Sequence, residues 1–134
     1  MTTEQQEFRN QSIAKNFRVF MEEIMGYENP DFLNDIDDAI SNPLYSKVAI
    51  AIARGHGKST HLSIGYPLWR MALNHNTRIL LISNTADVSI SFITQILDQI
   101  ENNPAYIAWA KWADPTGRGV MPKVRKAIAC WRRR

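Results

Sequence analysis

Apolar side chains recur at steps of three and four from about Gln6 to Met25, where Ile13, Phe17, Phe20, Met21 and Ile24 fall on one face of a helix. Gly26 follows as a natural stop. A second helix is predicted to open with Asn29 as its N-cap and Pro30 at its first position. Its apolar stripe is Phe32, Leu33, Ile36, Ala39 and Ile40. Asp31, Asp35, Asp37 and Asp38 lie mostly off that stripe, as a solvated face that suits the positive end of a helix. Ser41-Asn42-Pro43 closes the unit.

The pattern then changes. Lys47-Val-Ala-Ile-Ala-Ile-Ala53 is apolar without alternation and β-branched at Val48, Ile50 and Ile52, which predicts a strand buried on both faces. Arg54-Gly-His-Gly57 reads as a turn. A helix is predicted from about Lys58 to Leu73, with Leu62, Tyr66, Trp69 and Leu73 inward and Pro67 kinking or shortening it. After the turn Asn74-His75-Asn76, Arg78-Ile-Leu-Leu-Ile-Ser-Asn84 predicts a second buried strand. A further helix spans about Ala86 to Asn102, with Thr85 as candidate N-cap and Val88, Phe92, Ile96 and Ile100 on one face, and Asn102-Asn103-Pro104 ends it. Beyond Ala105, Tyr106, Trp109 and Trp112 are aromatic at helical spacing, but Asp114-Pro-Thr-Gly-Arg-Gly119 breaks up any regular element.

Strand, helix and strand make a βαβ unit with a right-handed crossover. The expected architecture is therefore α/β: a partial P-loop NTPase core with parallel strands, preceded by a small N-terminal helical subdomain. Three regions follow, a helical segment over 1–42, an incomplete ATPase core over 43–104 and an irregular basic segment over 105–134.

Composition refines this picture. A hydrophobic fraction of 45% suffices for a modest core in 134 residues. The lone Cys130 excludes an internal disulfide framework and a multi-cysteine metal site. The polar start MTTEQQEFRNQ does not read as a secretion signal, and no apolar run nears the roughly 20 residues that span a bilayer, so a soluble, intracellular chain is expected. The net charge of +3 conceals an asymmetry. The first 114 residues carry nine basic and all 13 acidic side chains, whereas the last 20 carry seven basic side chains and no acid. Such a block is either a nucleic-acid arm or disordered sequence at a truncated or out-of-frame end.

The segment with chemistry is Ala53-Arg-Gly-His-Gly-Lys-Ser-Thr60. Between a strand and a helix, the main-chain N–H groups of such a turn cradle phosphate oxygens. Gly55 and Gly57 permit backbone angles and close approach that a Cβ obstructs. Lys58 would reach the β- and γ-phosphates, the Ser59 hydroxyl would ligate Mg²⁺, and Thr60 would add a hydroxyl near the α-phosphate. Arg54 is either a candidate catalytic cation for charge on the transferring phosphoryl group or a salt bridge beside the turn. His56 shapes the turn; His61 and His75 are isolated. The strict phosphate-loop pattern lacks its first glycine, since Ile52 stands there. No predicted strand ends in a carboxylate that would hold Mg²⁺ through water, so nucleotide binding without efficient hydrolysis is expected.

Ile50-Ala-Ile-Ala-Arg-Gly-His-Gly-Lys-Ser-Thr60, Pro67-Leu-Trp69, Arg78-Ile-Leu-Leu-Ile-Ser-Asn-Thr85 and Glu101-Asn-Asn-Pro104 together resemble the large terminase subunit of tailed bacteriophages, over about residues 42–104. A loop without the first glycine is typical of that family. The resemblance implies the N-terminal part of an ATP-driven motor that moves double-stranded DNA into a procapsid. It further implies ATP and Mg²⁺ as cofactors, a portal protein and a small terminase subunit as partners, an oligomeric ring, and action in the host cytoplasm. Lys58 and Ser59 match the family's phosphate and magnesium residues, and Arg54 matches its catalytic loop arginine; with Gly55, His56, Gly57 and Thr60 they make up the expected nucleotide-binding loop. The family's acidic strand and nuclease domain have no counterpart in these 134 residues. The competing readings are another P-loop ATPase or helicase fragment, and a non-catalytic, nucleotide-binding prophage remnant.

Overall fold

The computed structural model describes residues 1–55, 57–74 and 76–116. Its elements are α1 (Thr3–Lys15), α2 (Phe17–Glu23), a 3-10 turn (Asp31–Leu33), α3 (Asn34–Ser41), a π-helical turn (Thr60–Gly65) running into α4 (Tyr66–Leu73), α5 (Ala86–Asn102) and α6 (Pro104–Ala113).

The long first helix expected over 6–25 is broken at Asn16, an extended residue that caps both sides. Its N–H closes α1 onto Ser12 O at 3.0 Å, and its side-chain oxygen accepts from Arg18 N at 3.0 Å to open α2. Thr2 and Gln5 form a reciprocal capping box at the start of α1. Gly26 turns the chain at φ +71° after α2, and Tyr27 N–H bonds back to Met21 O at 3.0 Å.

The core sits where α1, α2, α4, α5 and α6 converge. Ile13, Phe17, Phe20, Met21, Leu68, Ile100, Tyr106 and Trp109 are buried there. Phe20 packs against Trp109 with ring centroids 5.2 Å apart, and Phe17 against Trp69 at 5.4 Å. The polar handles of these rings are satisfied across elements. Trp69 Nε1 donates to Ile13 O at 3.0 Å, Tyr106 Oη to Leu68 O at 3.0 Å, and Trp109 Nε1 to Asn10 O at 3.4 Å. Tyr106, Trp109 and Trp112 lie in α6, whose N-cap Asn103 accepts from Tyr106 N at 3.1 Å.

The expected α/β core with parallel strands is not found. Among the described residues there is no strand and no sheet. Residues 47–53 and 77–83 run without regular structure, and Leu80 and Ile82 are 81% and 84% exposed. The apolar pattern of these segments specifies a residue's taste for burial, not its pairing. A ladder requires a partner at about 4.8 Å, and a two-stranded pair gains too little without further strands or a covering layer. The helices here bury their faces on one another instead.

Pro67 explains the π-turn. Proline has no N–H to donate four residues back, and its ring crowds the carbonyl there. Widening the preceding turn relieves this, so Tyr66 N–H bonds to His61 O, five residues back. The buried face also differs from the one expected. His61, Ile64, Gly65, Leu68 and Trp69 point inward, while Leu62, Tyr66 and Leu73 are only partly covered. Gly65 sets that choice, since it lies so close to Met21 that a Cβ would strike the thioether sulfur.

Candidate functional site

The glycine turn is where the sequence places it, ahead of a helix that begins at Lys58. Gly55 and Gly57 take φ +84° and +72°, in the left-handed region that side-chain-bearing residues avoid. Among the described residues, no heavy atom would lie within 4 Å of a Cβ at either position, so the two glycines answer a backbone requirement and not a crowded contact. His61 N–H closes the first turn onto Gly57 O at 3.0 Å. Ahead of that bond, first-turn amides have no intrahelical acceptor by geometry, and the helix dipole leaves partial positive charge there.

The turn forms one wall of a cavity of about 370 Å³. Gly55, Gly57, Thr60 and His61 face it from one side, and Tyr27, Asn29 and Phe32 from the connection between α2 and α3. Of the residues expected to bind nucleotide, Gly55, Gly57 and Thr60 line this cavity. Arg54 and Ser59 are exposed and Lys58 is partly exposed, all outside its lining. His56 and His75 lie outside the described residues, as does the basic block from residue 117 onward. Among the described residues, no three His, Cys, Asp or Glu side chains gather at metal-binding distance. The expected assignment of Mg²⁺ to the Ser59 hydroxyl involves no such cluster.

Beneath the turn lies a buried polar triad that sequence reasoning did not assemble. His61 Nε2 meets Asp37 Oδ1, and Asp37 Oδ2 accepts from Asn29 Nδ2 at 3.1 Å. His61 is 2% exposed, with the Phe17 ring edge-on at 4.8 Å. Three expectations change here. Asp37 is not on a solvated face but buried. Asn29 is not an N-cap, since Pro30 holds that position before the 3-10 turn and the Asn29 side chain bonds to Asp37. His61 is not isolated. A signal for two of these was present: Asp37 lies four residues after Leu33 and three before Ile40, and His61 lies three before Ile64 and seven before Leu68. Polar residues on an apolar stripe are buried and need partners. Asn29 also lines the cavity, and its Oδ1 is buried with no hydrogen-bond partner among the described residues.

No protein-family model, curated protein sequence or solved structure matches the chain. The functional reading therefore rests on the turn, its helix and the cavity beside them.

Arg18 ties down the far wall. Its guanidinium bonds to the Asn34 side chain, to Asn29 O at 3.3 Å and to Glu22 Oε1 at 3.2 Å. The connection that carries Tyr27, Asn29 and Phe32 is thus anchored to α2 and α3.

Proposed function

We propose that the chain is the nucleotide-binding part of a DNA-packaging motor of the large-terminase type, with the triphosphate of ATP–Mg²⁺ held at Gly55–Thr60. The observation that carries this reading is the pair of left-handed glycines directly ahead of Lys58 and Ser59 at a helix start. A left-handed turn of this kind aims successive main-chain N–H groups at one point, and an anion gathers there. Lys58 adds a mobile positive charge within the same turn, Ser59 an exposed hydroxyl for Mg²⁺ and Thr60 a hydroxyl on the cavity wall. Arg54, on the other flank of the turn, is the candidate cation for charge developing on the γ-phosphate.

Double-stranded DNA, a portal protein and a small terminase subunit enter by the sequence resemblance, as partners of the whole motor.

Differential scanning of the folded chain with ATP–Mg²⁺ tests the site. A ligand at a hundredfold excess over its Kd stabilises the native state by about 2.7 kcal/mol. The melting temperature therefore rises by several degrees with ATP–Mg²⁺ and much less with AMP, which lacks the β- and γ-phosphates. Lys58→Ala removes the shift. An equal shift in wild type and Lys58→Ala removes this site from the reading.

A further inference from the structure

We propose that Asp37 is a positioning residue for the glycine turn, acting through the buried ring of His61. This rests on the phosphate-binding reading of Gly55–Thr60 given above. His61 belongs to two structures at once. Its main-chain N–H closes the helix turn onto Gly57 O at 3.0 Å, three residues beyond Lys58. Its ring meets Asp37 Oδ1 on α3, in surroundings where both side chains are nearly inaccessible at 2% and 8% exposure.

The orientation of that ring is over-determined. Asp37 engages one edge, and Phe17 from α2 approaches edge-on at 4.8 Å. The carboxylate is held in turn, because its second oxygen accepts from Asn29 Nδ2 at 3.1 Å. The helix start therefore cannot rotate or slide along its axis without dragging a buried polar contact out of register. A buried donor or acceptor stripped of its partner loses its hydrogen bond and regains no water. A π-turn follows at once, at Thr60–Gly65, and a π-turn by itself defines the direction of a helix end less tightly than a regular α-helical ladder. The strut supplies that direction from outside the element.

Anion binding by a glycine turn depends on several N–H groups pointing at one spot, so small rotations of the helix start reduce it steeply. Asp37 does not line the cavity. Its effect on a bound triphosphate is consequently indirect, which separates it in experiment from a residue that touches the ligand.

The test is ATP–Mg²⁺ affinity of Asp37→Ala and Asp37→Asn, measured by calorimetry well below each variant's own melting temperature. Asp37→Ala should weaken binding about tenfold or more. Asp37→Asn keeps an acceptor for His61 and should recover most of that loss. Wild-type affinity in folded Asp37→Ala overturns the inference while leaving Lys58-dependent binding intact. Wild type that binds no ATP–Mg²⁺, or binds it independently of Lys58, overturns the phosphate-binding reading and this inference together. If Asp37→Ala fails to fold, carbon-13 spectra of the wild-type chain decide. Saturation with ATP–Mg²⁺ should move the Asp37 carboxyl resonance, and a resonance that stays in place overturns the coupling.

Discussion

Gly55 and Gly57 differ from the other residues of the turn in that their backbones, not their side chains, carry the argument. Each sits at a positive φ with open space where a Cβ would project. Gly57→Ala therefore introduces no clash, only the intrinsic cost of a left-handed L-residue, about 1–2 kcal/mol. Relaxation of φ toward negative values would also reorient the following amide. The expected outcome is a modest fall in the denaturant midpoint with a disproportionate loss of ATP–Mg²⁺ affinity. A variant that loses stability but keeps full affinity would show that the amide direction at Gly57 is irrelevant to binding. The contrast between the two kinds of site residue is instructive. The glycine turn was legible because glycine, lysine and serine crowd together in seven consecutive positions. Asn29, Asp37 and His61 are spread over 33 residues of chain and meet only after α3 folds against the turn.

At the scale of elements, the helices are fastened less by their own propensity than by polar handles that cross between them. Tyr106 is the clearest case. Its ring is buried in the core, its hydroxyl donates to Leu68 O in α4, and desolvation pushes its phenol well above the ordinary value near 10. The folded state therefore keeps a proton that the unfolded chain releases. The stabilisation is complete below the unfolded phenol's pKa and declines as pH rises beyond it, toward the folded value. Alkaline unfolding should set in above about pH 10, and Tyr106→Phe should flatten that limb while costing about 1 kcal/mol at neutral pH. A pH–stability curve with the same alkaline limb in both proteins would refute the assignment. Helix existence and type were largely written in the apolar periodicity. The break at Asn16 was not, because a residue able to cap in both directions is indistinguishable in sequence from one tolerated mid-helix.

At the scale of the molecule, the described residues form a helical assembly with an uneven surface. Ile96 and Ile100 in the C-terminal half of α5 are buried, yet Val88, Ile90 and Ile93 in its N-terminal half remain exposed. They share that exposure with Leu44, Tyr45, Leu80 and Ile82 in the irregular segments. Exposed apolar surface of this kind favours self-association. Ile82→Lys should therefore reduce concentration-dependent light scattering and leave the unfolding free energy within about 0.5 kcal/mol, as for an ordinary surface site. A loss of several kcal/mol would mean that Ile82 is buried in the folded chain and would contradict the helical arrangement. This is also the level at which the sequence reading went astray. Two β-branched apolar runs flanking a helix satisfy the local rules for a βαβ unit, but those rules do not count what covers the sheet.

Read alone, the chain determined local features: the stripes of α1 and α2, the extent of α5 and its cap at Thr85, the breaks near Gly26 and Pro104, and the glycine turn ahead of Lys58. Each depends on residues within a few positions of one another, where periodicity and backbone preference act directly. Tertiary structure alone decided that residues 47–53 and 77–83 stay unpaired, that the inward face of the Lys58 helix is displaced by Pro67 and Gly65, and that Asp37 is buried against His61. Those outcomes depend on which surfaces compete for burial, and that competition is settled between elements distant in the chain, where a pattern of hydrophobic and polar positions carries no information about partners.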